Sequence, residues 1–191
     1  MPVKTLRREQ KTMKEEQVAL VTGGSRGIGR AIAVELSSAG YNLIITYKSD
    51  DASAEETLDI IRTKGGMGEK VRFDVTDSRE AARRMDDILA RHKNIGVLIN
   101  NAGITADGLF MTMRESDWDK VIQTTLKGFY NMTKPVIRRM AKNHRGAVVS
   151  ISSVSALMVS RGQANYAAAK AGLIAASRSL ASEVARFGIR V

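Results

Sequence analysis

The sequence predicts a single α/β domain: a doubly wound parallel sheet in three α/β/α layers. Three observations carry that expectation. Short apolar runs alternate with longer stretches of helical period, and strands separated by helices pair in parallel through right-handed crossovers. The shortness of the apolar runs suits strands buried on both faces. Gly40, Gly65 and Gly188 stand where helices should stop, as caps with positive φ.

In order, strands are expected at Val18–Thr22, Asn42–Tyr47, 70–74, 97–100 and 147–151. Between and after them, helices are expected at 27–39, 52–63, 78–92, 117–142 and 165–187. The last residues, Gly188-Ile189-Arg190-Val191, read as the beginning of a sixth strand. The domain therefore occupies residues 15–191 and is expected to be truncated before a full sixth strand and a seventh. On its own it is expected to be unstable or inactive. Residues 1–14 carry Lys4, Arg7, Arg8, Lys11 and Lys14 without an apolar period, and read as a flexible basic extension. Met13 directly precedes the first strand pattern and is a candidate start of translation.

Composition narrows the function. At 191 residues the chain can bury one sizeable core. It has no cysteine, which excludes disulfides, thiol nucleophiles and zinc–thiolate sites. No apolar run approaches the roughly 18 residues a membrane span needs, and no secretory signal is evident. The expected setting is cytoplasmic, with no membrane partner. His92 and His144 are expected to be exposed, and no metal site is expected around them. The formal charge of +10 favours acidic partners. A nucleic acid is not the expected one, because interleaved aromatics and recognition motifs are missing.

The first strand runs directly into Thr22-Gly23-Gly24-Ser25-Arg26-Gly27-Ile28-Gly29, followed by a helix. Glycines there permit a tight turn and close approach to a pyrophosphate, and the helix N-terminus offers free N–H groups. Asn100-Asn101-Ala102-Gly103 follows the fourth strand, and Phe73-Asp74-Val75 ends the third. Tyr166-Ala167-Ala168-Ala169-Lys170 opens the last helix. Together, in this order and spacing, these segments resemble the short-chain dehydrogenases/reductases from about Gln17 to the last residue.

The resemblance implies a Rossmann-type NAD(P)-binding domain. It implies cofactor contacts from Thr22, Gly23, Ser25, Arg26, Gly27, Ile28 and Gly29, from Tyr47, Lys48, Asp74 and Val75, and from Asn101, Ala102, Gly103, Tyr166 and Lys170. An acidic residue at the end of the second strand would bind the NAD ribose and repel a 2′-phosphate. Here the strand ends Thr46-Tyr47-Lys48, with no carboxylate before Asp50. Lys48 and Arg26 suit a 2′-phosphate, so NADP(H) is the expected cofactor. Asp50 and Asp51 are the residues that would argue otherwise if the loop curls back.

Tyr166 and Lys170 are four apart and share a helix face. A free tyrosine titrates near 10, and a nearby ammonium favours its phenolate. Tyr166 is expected to donate a proton to a carbonyl oxygen as hydride reaches the carbon, and Lys170 by resemblance also holds the nicotinamide ribose. Ser153, thirteen residues before Tyr166, is expected to hydrogen-bond the substrate oxygen, with Ser152 and Ser155 as rivals. Tyr130 and Lys134 repeat the same spacing. They have Asp117 where a serine is wanted and lie inside the fourth helix, so they read as a surface pair. Thr125, in Thr124-Thr125-Leu126, stands where the family carries an asparagine that orients a relay water. A hydroxyl lacks the amide's two donors, and a slower proton relay is expected.

The segment from Gln163 to Leu173 looks especially like the bacterial 3-oxoacyl-carrier-protein reductases, as do Gly103-Ile104-Thr105 and the run from Asp117 to Ile122. That likeness implies a β-ketoacyl substrate on an acidic acyl carrier protein, and a homodimer or homotetramer packed through the long fourth and fifth helices. Lys134, Arg138, Arg139, Lys142, Arg145, Arg178 and Arg186 are candidates to steer the carrier. Met111, Met113 and Met158 are candidates to line an acyl channel. Other readings are a reductase of another small carbonyl, such as a sugar or steroid, and a non-catalytic nucleotide-binding protein.

Overall fold

The computed structural model describes residues 18–191; the basic extension at 1–14 and Met13 lie outside the described residues. Strand β1 (Val18–Thr22) is apolar or β-branched throughout, and all five residues are buried. It sits at the centre because both neighbours cover it: β2 (Asn42–Tyr47) on one side and β4 (Ile95–Asn100) on the other, both parallel. With β3 (Gly68–Arg72), β5 (Gly146–Ser150) and β6 (Ile189–Arg190), the order is β3-β2-β1-β4-β5-β6. The winding reverses between β1 and β4, and in such sheets ligands bind at the carboxyl ends of the strands at that reversal.

Helices α1 (Gly27–Ser38) and α2 (Asp51–Thr63) cover one face of the sheet. There Ala19, Val21, Leu43 and Ile45 meet Ala33, Val34, Ala54, Leu58 and Ile61. Helices α3 (Ser78–Arg91), α5 (Gly128–Lys142) and α6 (Ala164–Val184) cover the other. There Leu20, Ile44, Leu98 and Val148 meet Met85, Ile88, Met132, Val136, Met140 and Val184. Alternate residues of each strand thus feed opposite cores, and each fully buried Leu or Ile contributes roughly 1.5–3 kcal/mol. The first face is covered most fully over β1–β3; Val149 of β5 remains 46% exposed. Among the described residues, no helix is long and apolar enough to cross a membrane.

The glycine caps take the expected conformation, with φ of 89° at Gly40, 78° at Gly65 and 67° at Gly188. Strands β3, β4 and β5 begin one or two residues earlier than expected. Phe73 still donates to Tyr47 O at 2.9 Å, but the Asp74 carboxylate turns back to accept from the Thr76 amide and ends the ladder. The expected helix at 117–142 is not continuous. Helix α4 (Glu115–Ile122) gives way to a π-helical turn at Gln123–Lys127 before α5 begins. The Thr124 hydroxyl donates to Lys120 O at 2.7 Å. Such a bond to the carbonyl four residues back competes with the helix ladder and distorts it. His92 is half-buried rather than exposed, since its Nε2 lies 3.1 Å from Glu69 on β3; His144 is exposed.

Candidate active site

A cleft of about 810 Å3 opens at the carboxyl ends of the strands, over the winding reversal. Its first wall is the turn between β1 and α1. Gly23 and Gly27 have φ of 65° and 58°, a region that excludes most side chains. A Cβ on Gly29 would lie 2.1 Å from Gly23 O and 2.5 Å from Asn101 Nδ2, whereas nothing lies within 4 Å of one on Gly27. The turn is held from behind. The Thr22 hydroxyl donates to Ile99 O and accepts from the Asn101 and Ala102 amides, each at 3.0 Å. Asn101 Nδ2 donates to Thr22 O and Gly23 O. The first turn of α1 carries no acidic residue, and no side chain caps it. Its free N–H groups and open glycine edge therefore fit the pyrophosphate of a dinucleotide.

The second wall is the end of β2 and the start of α2. Tyr47, Lys48, Ser49 and Asp50 line it, facing Ser25 and Arg26 across the cleft. Both nearby carboxylates are engaged within the chain. Asp50 accepts from the Ser53 amide and hydroxyl, and those bonds hold its carboxyl below the usual range. Asp51 is bound by Lys70 and by the Tyr47 hydroxyl, with the same effect on its carboxyl. Burial, followed by the Asp51 bond, pushes the Tyr47 phenol up, so it stays neutral. Lys48, expected to face a 2′-phosphate, pairs with Asp74 at 2.6 Å while 71% of its side chain stays exposed. Burial pushes the Asp74 carboxyl up, but Lys48 and Thr76 outweigh it and hold the group low.

At the other end, Tyr166 and Lys170 rise from the first turns of α6. Lys170 is 4% exposed. Its ammonium donates to Ile151 O at 2.6 Å and lies 5.6 Å from the centre of the Tyr166 ring. Burial pulls the lysine below its usual value. One donor is spent on the carbonyl, which leaves the remaining N–H groups for a ligand. Gly103 lies beside that ammonium: a Cβ there would sit in ordinary contact, 3.4 Å from Nζ.

Gly23, Ser25, Arg26, Ile28, Gly29, Tyr47, Lys48, Asp74, Val75, Asn101, Ala102, Gly103, Tyr166 and Lys170 all line the cleft. Thr22 and Gly27 stand behind or beside that wall. Two expected catalytic residues also lie off it. Ser153 accepts from the Ser155 amide at 3.2 Å as cap of a short 3-10 turn, while its neighbour Ser152 reaches the cleft. Thr125 is 3% exposed in the π turn and its Oγ1 has no protein partner; Thr124 lines the cleft instead.

Sequence reasoning missed Asn165 and Arg30. Asn165 is fully buried, donates to Ala106 O and Asp117 O, and accepts from the Tyr166 amide. It fastens the start of α6 to the loop after β4. The sequence shows only an asparagine directly before the tyrosine, with nothing to mark its burial. Arg30 makes contacts only in three dimensions, with residues 23 to 27 positions away as well as with nearby Ser25.

Comparison with known proteins agrees with this geometry. Residues 17–191 match the family model for short chain dehydrogenase. The 3-oxoacyl-[acyl-carrier-protein] reductase FabG of Escherichia coli (strain K12) is 44% identical over 177 residues, which cover 93% of this chain and 71% of that one. Its counterpart in Staphylococcus aureus is 41% identical over 179 residues, covering 94% and 73%. The crystal structure of a metagenomic short-chain oxidoreductase in complex with NADP superposes with a TM-score of 0.88 at 34% identity, covering 92% of this chain and 80% of that one. Matched across nearly its whole described length, with the glycine turn and the Tyr166–Lys170 pair at one cleft, the chain belongs to the short-chain dehydrogenase/reductase family of oxidoreductases.

Proposed function

We propose that the chain reduces a 3-oxoacyl group on acyl carrier protein to the 3-hydroxyacyl product, using NADPH. The observation that carries this reading is the buried Lys170 ammonium, held by Ile151 O and set 5.6 Å from the Tyr166 ring at the end of a dinucleotide-sized cleft. The Gly23–Gly29 turn and Lys170 would hold a reduced nicotinamide dinucleotide along that cleft, which when bound would supply hydride to the carbonyl carbon. Tyr166 gives its phenolic proton to the oxygen. Lys170 stabilises the phenolate left behind and offers its unspent donors to the ribose. A hydroxyl from Ser153, with Ser152 at the cleft itself, steadies the developing oxyanion. Thr125 holds the relay that restores the proton.

NADPH rather than NADH is supported by Arg26 and Lys48 at the 2′ end, Lys48 exchanging its Asp74 partner for the phosphate, and by the pairing of Asp51 with Lys70. The relative crystallised with NADP agrees. The carrier-protein substrate is supported by the names of the bacterial relatives. It is also supported by exposed Arg138 and Lys142 on α5, which suit an acidic partner. Phe110, Met111, Leu157 and Met158 are exposed and suit an acyl chain. An oligomer built on α6 is supported by Ala164, Ala168, Ala171 and Ala175, which leave its outer face apolar and exposed.

The test is oxidation of NADPH by the purified chain in the presence of a 3-oxoacyl thioester, with NADH and a simple sugar ketone as controls. Thioester-dependent oxidation of NADPH in preference to NADH supports the reading. Turnover only of the other ketone redirects it to a different small carbonyl. Binding of NADPH without any turnover makes the protein a nucleotide-binding relative rather than a reductase.

A further inference from the structure

We infer that Arg30 and Thr57 form a brace that sets the width of the cleft at its 2′-phosphate end, and so act as positioning residues for cofactor selectivity. The inference rests on the dinucleotide reading of the cleft and assigns roles to two side chains that do not line it.

Arg30 sits one turn into α1, beyond the glycine loop. Its Nε and Nη2 donate to Ser25 O at 3.2 and 2.8 Å. The same Nη2 reaches Ser53 O at 3.1 Å, and Nε reaches Thr57 Oγ1 at 3.0 Å. Thr57 is fully buried on α2, and its hydroxyl lies 2.9 Å from Ser25 O and 3.1 Å from Ser53 O. One loop carbonyl therefore lies within reach of three donor groups. A planar trans peptide points its N–H opposite to its C=O. Holding Ser25 O in this way fixes which way the Arg26 amide faces.

The other arm of the brace ends on the opposite wall. Ser53 is also the residue whose amide and hydroxyl bind Asp50. Thus Ser25-Arg26 on one side and Lys48-Ser49-Asp50 on the other are tied through Arg30, Thr57 and Ser53. Arg26 and Lys48 line the cleft; Arg30 and Thr57 fix the frame that separates them. Arg30 does not act as a free charge, because Glu56 pairs with the same Nη2 at 2.8 Å. Its planar fork is the useful feature, and a lysine cannot reproduce those converging donors. The nicotinamide end, with Tyr166 and Lys170, is not part of this network.

The test measures dissociation constants for NADPH and NADH separately, on the unmodified chain and on Arg30→Lys and Thr57→Val. Arg30→Lys keeps the charge, and Thr57→Val changes no charge and little volume. Displacing one wall by a fraction of its contact distance is expected to weaken NADPH binding by about tenfold in Arg30→Lys. NADH weakens by less than about threefold, since it lacks the group those walls grip. Thr57→Val shifts the ratio in the same direction by less. The turnover number at saturating NADPH stays within about twofold, because the reacting end is untouched. Equal weakening of both cofactors in both variants, or unchanged NADPH affinity in both, overturns the brace. If the unmodified chain binds neither cofactor, the dinucleotide reading itself fails and takes the brace with it.

Discussion

The chain contains two tyrosine–lysine pairs of identical spacing, and the structure treats them in opposite ways. On α5, Tyr130 is half exposed, and Lys134 donates directly to its hydroxyl at 2.6 Å. Lys127 adds a second ammonium 5.1 Å from the ring. On α6, Lys170 is almost completely buried and donates a hydrogen bond to a backbone carbonyl rather than to Tyr166. By hydrogen bonding alone, the surface pair is the better couple. Yet water and salt screen its field and can solvate either partner separately. At the cleft, the lysine is buried, Ile151 O takes one of its donors, and its field acts in a medium of lower dielectric. Burial beside an open cleft, rather than the four-residue spacing, sets the two pairs apart, and on the proposed reading it is what makes the Tyr166–Lys170 pair the reactive one.

That contrast breaks most easily on turnover. Tyr166→Phe is expected to lower kcat by about 10³-fold, within the range for a lost general acid. Tyr130→Phe should leave kcat within about twofold, since a surface phenol contributes nothing to the transition state. Comparable losses in both would end the distinction. The lysines extend it. Lys170→Met is expected to cost about 10²-fold in kcat/KM, and Lys134→Met almost nothing.

The pH dependence of stability separates the same two residues. Burial lowers the folded-state value of Lys170. Between that value and the ordinary lysine value near 10.4, the unfolded chain binds more protons. Stability therefore rises with pH across that window and is lost as pH falls through the folded value. Denaturant titrations at a series of alkaline pH values should show this slope in the unmodified protein and in Lys134→Met. Lys170→Met should abolish it.

Smaller effects sharpen the picture of the cleft. Gly29→Ala would drive a Cβ into the Gly23 carbonyl. It is expected to cost about 1–3 kcal/mol of stability and to weaken dinucleotide binding. Gly108→Ala, which meets open space, should do neither; thermal melts with and without NADPH compare them. Thr125→Val removes a buried hydroxyl that has no protein partner. Stability should change by less than about 1 kcal/mol, while kcat falls several-fold because the relay loses its polar group. An unchanged kcat would remove Thr125 from the mechanism. The smallest effect is spectroscopic. The Lys134 bond lowers the Tyr130 phenol, whereas burial raises that of Tyr47. In an alkaline absorbance titration, Tyr130→Phe should delete an early phenolate step and Tyr47→Phe a late one.

Much of this arrangement is legible in the sequence, because it depends on local pattern. The apolar runs locate the strands, the Gly23–Gly29 turn follows from its place after β1, and Tyr166 stands apart from Tyr130 through Ser153 and its position after β5. What escapes is set by partners from distant elements. Lys48 is read toward a 2′-phosphate, but the sequence does not show that Asp74, brought beside it by the β2–β3 register, pairs with its exposed ammonium. The helix through Thr125 reads as continuous, because spacing alone does not reveal that the Thr124 hydroxyl binds Lys120 O. Ser153 is read from its offset to Tyr166, but that offset does not show that its oxygen also accepts from the Ser155 amide or that Ser152 reaches the cleft wall. Apart from the bonds to nearby Ser25 and Tyr166, the partners of Arg30 and Asn165 lie 23 or more residues away, so no window along the chain shows them.

The most direct test of the central claim is a structure of the protein with NADPH bound. The nicotinamide ring is predicted to lie beside the Tyr166 phenol, with the ribose hydroxyls on the Lys170 ammonium and the 2′-phosphate between Arg26 and Lys48. A nicotinamide ring remote from Tyr166, or a dinucleotide bound elsewhere than the Gly23–Gly29 turn, would contradict it.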